Sequence, residues 1–328
     1  MSDYSHAIDW ARRQVTEGIL PTAVLGIASS TGVHEIAAFG SSGDRRATAD
    51  DYFPLFSVTK PIVAMTAMRE VERGRLALTD PLRAAVPEFG THRADIVELR
   101  HLLNHSSGIS EPPLDTPAGL RPSLLAGGAD FAAGSASRYS TIAYEGIAAL
   151  IELTTARPWQ SAVADLVTDA GAPGLTFAAD CNPHPVYDAA AQGLDYAQFQ
   201  SLQHPGAGAY ARVGDLLALG QSLLSGDGGP LHPATLAAML RPTTTGMVKL
   251  APYSAERGQD WGLGWNLRHA APGLLDQNVY GHGGWAGTEF WLYPGRDLCF
   301  VLLSNIASPS RFGLNIDRLH NAVVAGQR

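Results

Sequence analysis

Ser57 and Lys60 stand three residues apart in FSVTKPIVAMTAM, with Pro61 directly behind them. At about 3.6 residues per turn, such positions lie roughly 60° apart on one helix face, so the hydroxyl and the ammonium can meet. A serine hydroxyl is a poor nucleophile until a base takes its proton. A lysine serves as that base only if burial or nearby positive charge lowers its pKa. Phe53, Leu55, Phe56, Ile62 and Val63 supply apolar surroundings. Pro61 is tolerated only in a helix's first turn, which sets the helix start near Ser57. The Ser57 amide then belongs to the unpaired donors at a positive helix end, available to a developing oxyanion. Taken alone, the tetrapeptide fits equally well a serine capping a helix and a lysine on its solvent face.

The elements that must position this pair follow from periodicity. Ile8, Ala11 and Val15 recur at helical spacing before Gly18 and predict an opening helix over residues 4–17. TAVLGIASS and VHEIAAFGS flank Thr31-Gly32 and predict a β-hairpin. From Lys60 to about residue 256 the pattern turns helical, with segments 62–75, 97–103, 142–154, 159–169, 213–225 and 233–240 broken by Gly/Pro loops. WGLGWNLR, NVYGHGG, GTEFWLYP and LCFVLLSN predict four short strands, and residues 312–326 a closing helix. The small-residue stretch 125–137 reads as a surface loop, and no internal repeat is found. The pattern predicts an α/β (α+β) fold with an antiparallel sheet. Residues 1–56 and 257–328 form an α/β domain closed by the terminal helices, residues 57–256 a mostly helical insert, and the cleft lies at their junction.

Composition narrows the partners. With 45% hydrophobic and 16% charged residues, the 328-residue chain can bury a sizeable core. A net charge of -8 and the lack of a Lys/Arg cluster argue against nucleic acid and leave a small molecule as the expected partner. Cys181 and Cys299 each stand alone, so neither a disulfide framework nor a cysteine metal site is expected, and both read as packing residues. The opening segment carries charges throughout and has no apolar core stretch. Neither a signal peptide nor a membrane anchor is expected, and the expected location is cytoplasmic. The sequence carries no signal for an oligomeric state.

Competing chemistries find little support. His101 and His105 are four apart, but Leu102 stands where a zinc hydrolase of the H-E-x-x-H type needs Glu, and no third ligand accompanies them. A structural role is expected for both. No G-x-S-x-G and no G-x-x-x-x-G-K-[ST] occurs, and the glycines at 206, 208, 226, 228 and 229 read as loop glycines. Trp261, Trp265, Trp285 and Trp291 read as core and cleft wall. No metal and no cofactor is expected.

The stretch FSVTKPIVAMTAMREVERGRLALTDPLRAAVPEF resembles the nucleophile segment of the serine β-lactamase and penicillin-binding-protein superfamily, in the class C β-lactamase-like branch that also holds carboxylesterases. LRHLLNHSSGI, RYSTIAYEGIAALIE, PGAGAYARVGDLLALGQSLLSGDG, WGLGW and YGHGGWAGTEFWLYP resemble further family segments, in the family's order and over nearly the whole chain. The resemblance implies a β-lactamase/transpeptidase-like fold and an acyl-enzyme chemistry. It makes Ser57 the nucleophile, Lys60 its proton partner and Tyr139 a second base. That last role requires a phenol well below its ordinary pKa, which a neighbouring Lys60 ammonium can arrange. The resemblance places His282, Gly283 and Gly284 at the substrate and the amides of Ser57 and Trp285 in the oxyanion hole. Thr141 stands where lactamase relatives carry an amide-bearing Asn, and His282 replaces a permanent cation. Both changes favour an ester over a β-lactam. The expected activity is therefore that of a serine carboxylesterase. An amidase, D-amino-acid peptidase or acyltransferase on the same acyl-enzyme is the alternative, and a β-lactamase or a non-catalytic binding relative is the weaker one.

Overall fold

The structure, a computed structural model, describes residues 3–253 and 255–327. Helix α1 (Ser5–Thr16) forms where predicted and buries Ala7, Trp10 and Ala11. The hairpin follows as β1 (Thr22–Ser29) and β2 (Gly32–Ser42), extended by β3 (Arg45–Arg46). After β4 (Phe53–Pro54) and a 3-10 turn at Phe56–Val58, α2 (Thr59–Glu72) begins three residues earlier than its periodicity suggested. Its residues from Thr59 through Met68 are all buried. A helix apolar on every side has no stripe from which to read its ends.

The middle of the chain supplies α3 (Leu99–Leu103), α4 (Leu120–Ala126), β5 (Ala136–Ser137), α5 (Ala143–Thr155), α6 (Trp159–Asp169), α7 (Tyr196–Ser201), β6 (Tyr210–Ala211), α8 (Val213–Ser225), α9 (Pro233–Met239) and β7 (Val248–Lys249). Of these, α4, α7 and the two-residue strands were not foreseen, being too short to establish a period. The end of the chain returns to sheet with β8 (Asp260–Trp261), β9 (Asn266–Leu267), β10 (Tyr280–Gly283), β11 (Glu289–Tyr293) and β12 (Leu298–Leu303), then closes with α10 (Ile316–Gly326). WGLGWNLR is therefore two strands and not one. Gly264, at φ +84, turns the chain between them, and a Cβ there would meet Ala64 Cβ of α2 at 2.1 Å. Residue 312 ends a 3-10 turn, Pro309–Phe312, before α10.

Eight strands make one antiparallel sheet in the order β3-β2-β1-β12-β11-β10-β9-β8. β1 from one end of the chain lies against β12 from the other, with Val24 opposite Leu303 and Ala28 opposite Cys299. All six residues of β12 are buried because both faces are covered. Cys299, Val301 and Leu303 join the core beneath α8, and Leu298, Phe300 and Leu302 the core beneath α1 and α10. Each such large side chain contributes about 1.5–3 kcal/mol. α8 approaches so closely that a Cβ at Gly220 would meet Cys299 Sγ at 2.7 Å. The two cysteines are free, and burial pushes their thiols up to about 11 and about 12, which suits packing.

Two short ladders stand outside this sheet. β4 pairs with β6, and the Leu55 amide donates to the Ala209 carbonyl at 2.8 Å. This brings the 203–209 loop over the start of α2. β5 pairs in parallel with β7. Among the described residues, no helix is long and apolar enough to cross a membrane.

Candidate active site

The start of α2 is held by the sheet and by an aromatic clamp. On the sheet side, Thr288 Oγ1 donates to the Leu55 carbonyl at 2.9 Å, and the Gly284 amide donates to the Thr288 carbonyl at 2.6 Å. A Cβ on Gly284 would lie 2.3 Å from the Leu55 oxygen, so only glycine lets the two backbones come this close. Trp285 sits within the turn closed by the Gly287 amide on the Gly284 carbonyl, and its own amide has no backbone partner among the described residues. Phe56, just before Ser57, has φ +45, a left-handed conformation worth about 1–3 kcal/mol of strain for a residue other than glycine. Its ring is clamped by Phe199 at 5.1 Å and Trp285 at 5.2 Å.

Within this frame the structure brings Ser57, Lys60, Tyr139 and Thr141 together. Lys60 is fully buried, and its Nζ donates to Ser57 Oγ at 3.2 Å, Thr141 Oγ1 at 3.2 Å and the Gly206 carbonyl at 2.8 Å. Burial lowers its pKa from 10.5 to about 7, against an opposing pull from the Glu111 carboxylate. At neutral pH a large share of Lys60 is thus the free amine that can accept a proton from Ser57.

Nζ lies 4.6 Å from the centre of the Tyr139 ring and 5.4 Å from that of Tyr144. Lys60 therefore sits over the ring face and not beside the phenol oxygen. The expectation of a lowered Tyr139 pKa is accordingly not met. Burial, with smaller contributions from Tyr253, Tyr144 and Glu111, pushes the phenol well above its ordinary value, although Ser57 opposes the shift as a hydrogen-bonding neighbour. The buried hydroxyl makes no bond of ordinary geometry, so Ser57 bears on it from nearby without a formed hydrogen bond. Tyr139 rests here as a protonated phenol.

His282 is buried beside Tyr139 and Trp261, with ring centres at 5.9 and 5.7 Å. Burial first, and Lys60 second, depress it to about 3, so the imidazole is neutral. Its Nδ1 lies 2.7 Å from the Gly283 carbonyl, which can only accept, so Nδ1 carries the proton and the buried Nε2 has no partner. His204 and His105 are likewise held neutral, chiefly by burial. The site thus presents one titrating cation among uncharged rings.

Two neighbours went unread in the sequence. His105, expected to be merely structural, accepts from the Ser140 amide at 3.2 Å and lies tilted against the Tyr139 ring at 4.6 Å, bracing the 139–141 turn. Glu111 accepts from Ser140 Oγ at 2.9 Å, from the Thr141 amide at 2.9 and 2.8 Å, and from the Ile142 amide at 3.2 and 3.3 Å. A lone acid in a Ser-Glu-Pro loop offers no spacing by which to find it. His101 turns Nδ1 to the Glu98 amide, and the described residues contain no group of three or more His, Cys, Asp or Glu able to hold a metal. A cavity of about 620 Å³ lies elsewhere, between Leu78, His101, Ala133, Arg241 and Leu263. Its lining includes none of Ser57, Lys60 and Tyr139.

The family model described as Beta-lactamase matches residues 8–324. The chain is 30% identical over 339 residues to Esterase EstB of Burkholderia gladioli, covering 84% of this chain and 83% of that one. It is 26% identical over 357 residues to Penicillin-binding protein 4 of Amycolatopsis lactamdurans, covering 95% and 88%. In structure it resembles EstCE1, a hydrolase with promiscuous acyltransferase activity, with a TM-score of 0.79, 22% identity and 98% of each chain covered.

Proposed function

The chain belongs to the Beta-lactamase family, and from that premise we propose that it is a serine carboxylesterase cleaving small esters through an acyl-enzyme on Ser57. One observation carries the reading: a fully buried lysine, with its pKa lowered to about 7, lies 3.2 Å from the Ser57 hydroxyl. The free amine of Lys60 takes the Ser57 proton as Oγ attacks the ester carbonyl. The oxyanion gathers between the amides of Ser57 and Trp285. Tyr139, a protonated phenol, gives its proton to the departing alkoxide, and the phenolate it leaves is held beside the Lys60 ammonium over its ring until water returns the proton. Water then attacks the acyl carbonyl by the reverse proton route, releasing the acid and restoring Ser57. The substrate lies along β10 beside Gly283 and Gly284, with His282 and Thr141 at its side.

A neutral His282 offers no permanent charge to the carboxylate of a β-lactam, and the Thr141 hydroxyl is occupied by Lys60. Both observations favour an uncharged ester. Transfer of the acyl group to an alcohol or amine uses the same intermediate, and EstCE1, named for such promiscuity, shares the fold. Amide or D-peptide cleavage differs only in its leaving group.

The test is acylation by a short-chain p-nitrophenyl ester or a fluorophosphonate, followed by peptide mass spectrometry. The adduct is expected on Ser57 and absent from Ser57→Ala, and ester turnover unchanged in that variant refutes the reading. Adding an alcohol or amine acceptor then separates hydrolysis from transfer.

A further inference from the structure

Glu111 lies on the exposed loop after α3, with its carboxylate turned onto the 140–142 segment. Both oxygens accept from the Thr141 amide, and they also take the Ile142 amide and the Ser140 hydroxyl. Every one of these partners donates, so the group is held as an anion at the start of α5, where a negative charge is favoured. Burial, the largest influence, raises the carboxyl above its ordinary value, and Lys60 and these same donors oppose that rise. Thr141 then links the two charges: its amide meets Glu111 and its hydroxyl meets Lys60.

We propose that Glu111 is a positioning residue of this site, whose carboxylate clamps the 139–142 turn and whose negative charge fixes the pH at which Lys60 activates Ser57. The inference rests on the reading of Lys60 as the base.

Lys60 is faced by Glu111 and His105 from the segment after α3, by Tyr139 and Tyr144 at α5, by His204 ahead of β6 and by His282 on β10. Near neutral pH the three imidazoles are unprotonated and the two phenols protonated. Among these groups, only Glu111 carries a charge. It favours the ammonium, so removing it favours the free amine and moves activation to lower pH. The expected displacement is about half to one pH unit.

The experiment is the rate of Ser57 acylation by a p-nitrophenyl ester as a function of pH. In the parent the acid limb is expected near 7. Glu111→Gln turns an N–H toward the Thr141 amide and is prone to misfold, so Glu111→Ala, whose freed amides water can reach, is measured beside it. Both are expected to shift the limb to lower pH by about half to one unit and to lower the plateau rate. Glu111→Asp keeps the charge and is expected to hold the limb in place while the plateau falls. A limb unmoved in the charge-removing variants, or moved as far in Glu111→Asp, overturns the inference. Acylation that persists in Ser57→Ala would instead sink the underlying reading.

Discussion

Replacing Lys60 by methionine should stabilise the fold at neutral pH while removing the base. Lys60 titrates at about 7 in the folded protein against 10.5 for an ordinary lysine, because burial disfavours its ammonium. Between those values the unfolded chain holds a proton that the folded one does not, so stability rises with pH across that window. Relative to a side chain that does not titrate, Lys60 holds the folded state back by about 4 kcal/mol at pH 7, about 2 kcal/mol at pH 9, and almost nothing above 10.5. Lys60→Met also leaves the buried Gly206 carbonyl without its donor, which costs about 1–3 kcal/mol. A net gain of about 1–3 kcal/mol remains at pH 7. Packing and hydrogen-bond differences do not vary with pH. The Glu111 carboxylate keeps its Ser140, Thr141 and Ile142 donors in the variant. The stability difference between variant and parent should therefore shrink by about 2 kcal/mol from pH 7 to pH 9, whatever packing contributes. Urea unfolding of both proteins at the two pH values measures this directly. A difference that is constant or grows with pH refutes the assignment of a neutral, buried lysine.

Two further changes probe the rest of the constellation. Tyr139→Phe should lower acylation by alkyl esters about 10²- to 10⁴-fold, and acylation by p-nitrophenyl esters less, since a good leaving group needs no proton. Its urea midpoint should barely move, because the hydroxyl makes no bond of ordinary geometry. Steady-state kinetics on the two ester classes decide the matter, and an equal loss on both removes Tyr139 as proton donor. Gly284→Ala places a Cβ 2.0 Å from Thr288 Oγ1 and 2.3 Å from the Leu55 oxygen, so the turn bearing the Trp285 amide must shift. kcat is expected to fall about a hundredfold or more with far-UV circular dichroism unchanged, and wild-type kcat would exclude the Trp285 amide from the oxyanion hole.

What the residues disclosed in advance depended on the range of the interaction. The Ser57–Lys60 pair was legible because helix geometry alone brings three-apart positions together. The hairpin and β12 were legible because alternation and unbroken apolar runs follow directly from burial on one or both faces. The two-residue strands β8 and β9 were not, because they exist through pairing with partners and turn geometry and have no period of their own. Tyr139 was placed by resemblance, yet the direction of its pKa was misread. A sequence can put a cation near a phenol but cannot say that it lies over the ring face. Glu111 was invisible for a related reason. Its role comes from amides about thirty positions later along the chain, and backbone donors leave no mark on residue type.

The pairing of β1 with β12 also bears on how the chain is made. Val24 waits for Leu303, so the central ladder cannot close until Leu303 and the strand around it have left the ribosome. The helical middle, rich in local contacts, is free to take shape during synthesis, while the first hairpin is left with one strand's hydrogen-bonding groups unanswered. Such an open edge invites pairing with another nascent chain. Completing the last strand and its covering helix thus ends the molecule's most aggregation-prone interval and, in the same step, brings the Trp285 turn up to the serine.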